Sequence, residues 1–154
     1  MRKMRKIVVI LLVLFGAVKT EKCFSQASLI VYSDDVIGVK SSQDRLFGGE
    51  LKFFSNVPTG RVEIDGFLNF KKQTFHQFSV GFGLNLNTNV DRVFNAVTMP
   101  LSWTLSPFQE CKSSFVKRFS IVLEVCPEFY PDYNYYGERL FLRNLCGLRY
   151  KFKD

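Results

Sequence analysis

"SVGFGLNLN", residues 79–87, alternates without interruption. Successive side chains of a strand point to opposite faces. Val80, Phe82, Leu84 and Leu86 then share one face, and Ser79, Gly81, Gly83, Asn85 and Asn87 share the other. One face is bulky and apolar, the other small and polar. The fold turns on which of them points into the molecule.

The same period recurs along the chain, and no amphipathic helical pattern of useful length follows residue 45. Residues 46–54 set Phe47, Leu51 and Phe53 against Gly48, Glu50 and Lys52. Residues 61–71 set Val62, Ile64, Leu68 and Phe70 against Glu63, Asp65, Asn69 and Lys71. The quoted stretch extends to 76–87. Residues 96–106 set Val97, Met99, Leu101, Trp103 and Leu105 against Thr98, Ser102, Thr104 and Ser106. Residues 118–129 set Phe119, Ile121, Leu123 and Val125 against Ser120, Glu124 and Glu128. Residues 139–152 set Leu148, Tyr150 and Phe152 against Arg143, Arg149 and Lys151, with Phe141 and Leu145 blurring the alternation. Connectors at 55–60, 72–74, 88–95, 107–117 and 130–138 carry the Pro, Gly and polar residues of hairpin loops. Residues 28–45 supply either one long strand or two short ones around Ser33–Asp34–Asp35.

These six strands run 9–14 residues. Strands of soluble proteins average about 5–6 residues, whereas a tilted membrane strand needs about 9–11. Soluble sheets bury the apolar face and transmembrane barrels turn it outward. Three observations favour the outward arrangement. The polar faces of 77–87 and 98–106 are small, as a narrow barrel interior requires, where a solvated surface would carry long Lys and Glu. The polar faces also balance: Glu50, Glu63, Asp65, Glu124 and Glu128 against Lys52, Lys71, Arg143, Arg149 and Lys151. Such a set can neutralise itself where an unpaired charge would cost several kcal/mol. Finally, Phe53, Phe70, Phe75, Phe108, Phe119, Phe129, Tyr130, Tyr150 and Phe152 gather near strand ends, as in interfacial aromatic girdles. The expected fold is therefore all-β: an antiparallel up-and-down transmembrane β-barrel of about eight strands. Val80, Phe82, Leu84, Leu86, Leu101 and Trp103 would face lipid, and the ten charged residues would line the lumen.

Residues 1–27 read as a cleavable signal peptide, with the barrel domain at 28–154. Arg2, Lys3, Arg5 and Lys6 precede the 12-residue apolar run Ile7–Val18, too short for a comfortable membrane helix, and Ser25 and Ala27 offer small residues for cleavage. Its removal takes six of 21 basic and one of 14 acidic residues, leaving 15 and 13, a net charge of +2. The basic character belongs to the export signal, so no nucleic-acid partner is expected. Cys23 leaves with the signal. Cys111, Cys126 and Cys146 show no metal or disulfide spacing, and Cys126 and Cys146 fall on opposite faces by parity.

The signal ending "CFSQA", the alternating strands and the terminal "GLRYKF" resemble small outer-membrane β-barrel proteins of Gram-negative bacteria. "TMPLSWTLSPF" followed by "FSIVLEVCPEFYP" is similar to the penultimate hairpin of such barrels. The resemblance implies an outer-membrane location, outer-membrane lipid as surroundings, and a final strand read by the barrel-assembly machinery. Phe152 would end that signal with Tyr150 and Leu148 alternating before it, although Lys153 and Asp154 trail it, a departure from the family. It also implies that the loops at 55–60, 88–95 and 130–138 face outside and those at 72–74 and 107–117 face the periplasm.

No catalytic, cofactor or metal site is expected. His76, the sole histidine, shares the face of Phe78 and Val80, away from the serines that a nucleophile–base pair would need. Glu124 and Glu128 read as partners of Arg143 and Arg149 on the next strand. The Tyr-rich loop 130–138 is a candidate contact surface for an extracellular ligand. The expected function is a non-catalytic barrel with a charge-paired, largely filled lumen, in a structural, surface-interaction or minor porin-like role. Two alternatives compete with it: a secreted soluble barrel of the calycin type, binding a lipid-like ligand, and a lipid-modifying outer-membrane enzyme.

Overall fold

In the computed structural model, residues 27–41, 43–55, 60–70, 75–88, 93–131 and 139–152 are described. Their strands are β1 (Ser28–Tyr32), β2 (Val36–Lys40), β3 (Phe47–Phe54), β4 (Arg61–Asn69), β5 (His76–Asn87), β6 (Phe94–Thr98), β7 (Leu101–Leu105), β8 (Phe119–Phe129) and β9 (Leu140–Lys151). All pairings are antiparallel; strands adjacent in sequence pair except β6 with β7, which both pair with β5 and β8, and β1 also pairs with β9, which closes the sheet. The result is an eight-stave up-and-down barrel, with β6 and β7 as two halves of one stave.

The ambiguous stretch 28–45 resolves into two short strands. Asp34 and Asp35 both adopt positive φ (60° and 56°) in the turn between them. Aspartate tolerates this left-handed region better than most residues because its short side chain can bond locally.

The single strand expected at 96–106 is interrupted at Met99–Pro100, and it begins earlier, at Phe94. Proline has no N–H to give a ladder. The wall nevertheless continues: the Gly81 N–H donates to the Pro100 carbonyl (2.7 Å) and the Met99 N–H to the Pro127 carbonyl (3.0 Å). Pro100 points inward over Gly81, where an added Cβ would lie 2.7 Å from its Cγ. A short 3₁₀ turn at Val116–Arg118 lies within the expected 107–117 loop and its junction with β8.

The registers fix the stagger. A walk perpendicular to the strands from Arg149 passes Ile30, Gly38, Lys52, Glu63, Asn85 and Ala96 and returns to β9 at Arg139, ten residues along from 149 to 139. With eight staves, about 3.3 Å rise and about 4.8 Å spacing, that stagger tilts the strands by about 40°. A barrel of this size has an interior that side chains alone can fill.

The apolar faces point outward. Ile64, Phe82 and Leu148 are each at least half exposed, and Val80, Leu84, Leu101, Trp103, Leu123 and Val125 are exposed as well. Leu86 is only half-buried, beside a register shift between β5 and β6 at Asn85/Leu86. Inside, Ser28, Lys40, Glu50, Lys52, Glu63, Asp65, Asn69, Gln77, Ser79, Asn85, Thr98, Glu124 and Glu128 are buried. The interior is not wholly polar: Ile30, Tyr32, Val36, Phe54, Val122 and Leu145 form an apolar cluster within it. Leu145 therefore obeys the alternation it had seemed to blur. Its inward position is apolar because it packs in this cluster.

Candidate functional site: the charged barrel interior

Two ion-pair centres occupy the lumen. The first is Lys52 of β3. Its ammonium donates to Glu63 (2.9 Å), Asp65 (2.8 Å) and Glu124 (2.6 Å), and no part of these four side chains reaches solvent. Glu63 is the direct register partner of Lys52, so the strand pairing alone brings those two together. Glu124 comes from β8, four staves away in either direction around the barrel. The Thr98 hydroxyl donates to the second oxygen of Asp65 at 2.9 Å.

The second centre is Glu128 of β8, which accepts from Arg61, Arg143 and Tyr130. Arg143 also donates to Glu63 at 2.6 Å and lies 3.8 Å from Glu124, linking the two centres. The guanidinium groups of Arg61 and Arg143 stand 4.5 and 4.8 Å from the Phe54 ring centroid, within cation–π range. Tyr130, just beyond β8, was expected in the outer girdle. Its hydroxyl instead turns inward onto Glu128, and burial together with that carboxylate pushes the phenol above its usual range.

A third pair lies nearer the end where β1 begins and β9 ends. Lys40 Nζ meets Glu50 at 3.2 Å and sits 3.7 Å from the Phe67 ring centroid. Glu50 also accepts from the Tyr32 hydroxyl at 2.7 Å. Every buried carboxylate of the lumen thus has a cation within salt-bridge distance among the described residues. A carboxylate left without one would carry an uncompensated desolvation cost of several kcal/mol.

Glu50, Lys52, Glu63, Asp65, Glu124, Glu128, Arg143 and Arg149 are all buried inside. Arg149 keeps its inward place but not its expected partners, and Lys151 moves to the rim. Arg149 makes no pair with Glu124 or Glu128. It lies across from Ser120 and donates to Gln43 and to Ser28 Oγ (2.9 Å), because its register puts it at the level of β1, away from the carboxylates. Lys151 sits at the rim, partly exposed, and pairs with Asp44 at 3.2 Å, since it is the last residue of its strand. Lys71, residues 1–26 and most of the Tyr-rich loop (132–138) lie outside the described residues. Lys40 and Arg61 were missed and complete the charge set. Arg61 has the parity of Glu63, which marks it as inward; Lys40 lies in 28–45, where the sequence leaves open one strand or two.

Glu63, Glu124 and Cys126 bring their ligand atoms within 4.8 Å of one another, the spacing of a metal site. The Lys52 ammonium already stands against both carboxylates, so a cation of the protein itself fills the role. His76 lies on the outer face with its ring edge-on to Phe78, and the buried Ser79 faces the opposite side of the same strand. At the end where β1 begins and β9 ends, Phe115, Phe119, Tyr150 and Phe152 form a ring cluster with centroids 5.1–6.0 Å apart. Leu148 is exposed on the outer face, whereas Tyr150 and Phe152 are half-buried in this cluster. Cys126 is buried and Cys146 exposed, on opposite faces of the wall.

No protein-family model matches the chain, and neither a curated protein nor a solved structure matches it.

Proposed function

We propose that the chain is a small integral outer-membrane β-barrel without catalysis, acting as a structural or surface-interaction protein and not as an open channel. One observation carries this reading: the apolar faces are outside and the charges inside. A soluble barrel of the calycin type would require the reverse, with an apolar interior for its ligand. At a tilt of about 40°, strands of 11–12 residues such as β5, β8 and β9 rise about 28–30 Å, enough to cover the roughly 25 Å apolar band of such barrels. The strand ends that flank 33–35, 55–60, 88–93 and 130–139 lie at one end of the barrel, and those that flank 41–46, 70–75 and 106–118 lie at the other, with the start of β1 and the end of β9. The first end would face outside and the second the periplasm. Leu148, Tyr150 and Phe152 would serve the assembly machinery, and outer-membrane lipid would cover Val80, Phe82, Leu84, Leu86, Leu101 and Trp103. The Tyr-rich loop 130–138 remains the candidate surface for an extracellular ligand.

The test is fractionation of the expressed protein, followed by electrophoresis with and without boiling. Outer-membrane location with a heat-dependent mobility shift is the expected result. A freely soluble protein with one mobility overturns the reading.

A further inference from the structure

Arg149 stands apart from the other buried bases. Lys40, Lys52, Arg61 and Arg143 each meet a carboxylate within 4 Å; Arg149, only 4% exposed, meets none among the described residues. Its Nε and Nη1 donate to the neutral Ser28 and Gln43, and its buried Nη2 has no hydrogen-bond partner among the described residues. A buried cation with an idle donor is costly, and an anion that reaches it recovers that cost. Guanidinium is also the side chain best shaped for carboxylate and phosphate.

Arg149 lines a cavity of about 250 Å³ at the end of the barrel where β1 begins and β9 ends. Lys117 and Lys151 add positive charge to its wall, and Asp44, which pairs with Lys151, is the only acid among the described residues that line it. The rest of the lining is hydroxyls and amides: Thr104, Ser106, Ser120 and three glutamines. Such groups recognise hydroxyls. The volume lies somewhat below the roughly 300–1,000 Å³ of common ligand clefts, which restricts the occupant to a compact molecule.

We infer that this cavity binds a small hydroxylated oxyanion, a sugar phosphate or sugar acid, with the Arg149 guanidinium as its anchor and Lys117 at its mouth. The inference rests on the barrel interior and holds whichever medium surrounds the outer face.

The full chain, folded in detergent micelles, is titrated separately with glucose 6-phosphate, gluconate, inorganic phosphate and glucose. Calorimetry reads affinity and the Arg149 Nε–H resonance reads location. Saturable one-to-one binding of glucose 6-phosphate or gluconate, with a shift of that resonance, is expected; phosphate should bind more weakly and glucose least. Arg149→Gln should weaken binding at least about tenfold, the loss of one charge-assisted contact. Lys117→Gln, at an exposed position, should weaken it by a smaller factor. Absence of saturable binding by all three anions, or an unmoved Arg149 resonance, overturns the site. Equal binding of glucose and glucose 6-phosphate overturns the role of charge, and binding of phosphate alone overturns the hydroxylated ligand. The resonance needs no variant, so a folding failure of Arg149→Gln would not leave the site untested.

Discussion

Lys52 and Glu124 meet at 2.6 Å across the full width of the barrel, from staves diametrically opposed. Arg143 of β9 and Glu63 of β4 make a second such crossing at 2.6 Å, again four staves apart. The wall is held by its ladders, while these bridges hold the two sides of the lumen to each other.

Lys52→Met keeps the bulk of the side chain and removes its charge. Glu63, Asp65 and Glu124 would then share a buried site with less compensation. We expect a loss of about 3–5 kcal/mol, the usual cost of breaking a buried pair by removing one partner. Denaturant unfolding of the folded barrel measures it, and an unchanged midpoint would show that the bridge contributes nothing net.

Gly83 marks where the wall and the charge network touch. A Cβ there would press on the Asp65 carboxylate and lie 2.5 Å from the Ile64 carbonyl and 2.8 Å from Thr98 Oγ1. The Ile64 carbonyl belongs to the neighbouring strand and cannot rotate away. Gly83→Val should therefore cost more than the roughly 1–3 kcal/mol of ordinary overpacking. The yield of folded barrel at a fixed temperature checks this, and a yield equal to wild type contradicts it.

The outer face can be tested by charge. Leu84→Lys together with Leu101→Lys places two ammonium groups on exposed apolar positions of β5 and β7. In a membrane barrel each costs about 2–4 kcal/mol near the bilayer midplane. The double variant should fail to reach the heat-sensitive membrane form, whereas a protein whose outer face meets water should gain solubility.

The cysteines report both faces at once. In single-cysteine variants, Cys146 should react in the folded protein with an apolar maleimide that partitions into micelles. Cys126, enclosed with Glu63 and Glu124, should react only after heating. Equal labelling of the two in the folded state would contradict their placement on opposite sides of the wall.

Much of the barrel is legible along single strands, because parity is a local property. Phe82 outward and Asn85 inward follow from alternation alone, and Phe67 could have been assigned from its place two residues after Asp65. Partners across the lumen are another matter. Lys52 finds Glu63 by register, but it finds Glu124 only because ten residues of stagger bring β3 and β8 to one height. That number is a property of the closed sheet and is written in no single strand. Arg149 shows the limit: its face was evident, yet its level placed it beside Ser28 and Gln43 and away from the acids. Pro100 misleads for a different reason, since the interruption it imposes is bridged by neighbours whose carbonyls and amides only the folded sheet aligns.

The seam between β1 and β9 joins residues 28–32 to 147–151. β1 pairs with β2 and β9 with β8 locally, but nearly the whole chain must be in hand before β1 and β9 can meet and close the sheet. Closure joins residues more than a hundred positions apart, and the loop entropy it costs makes it a slow, late event. Until then the sheet carries two open edges that would template association with other chains. A chain cut short anywhere before β9 would be left as an open sheet with no means of closing, so this fold assembles as a whole or remains exposed to misassembly.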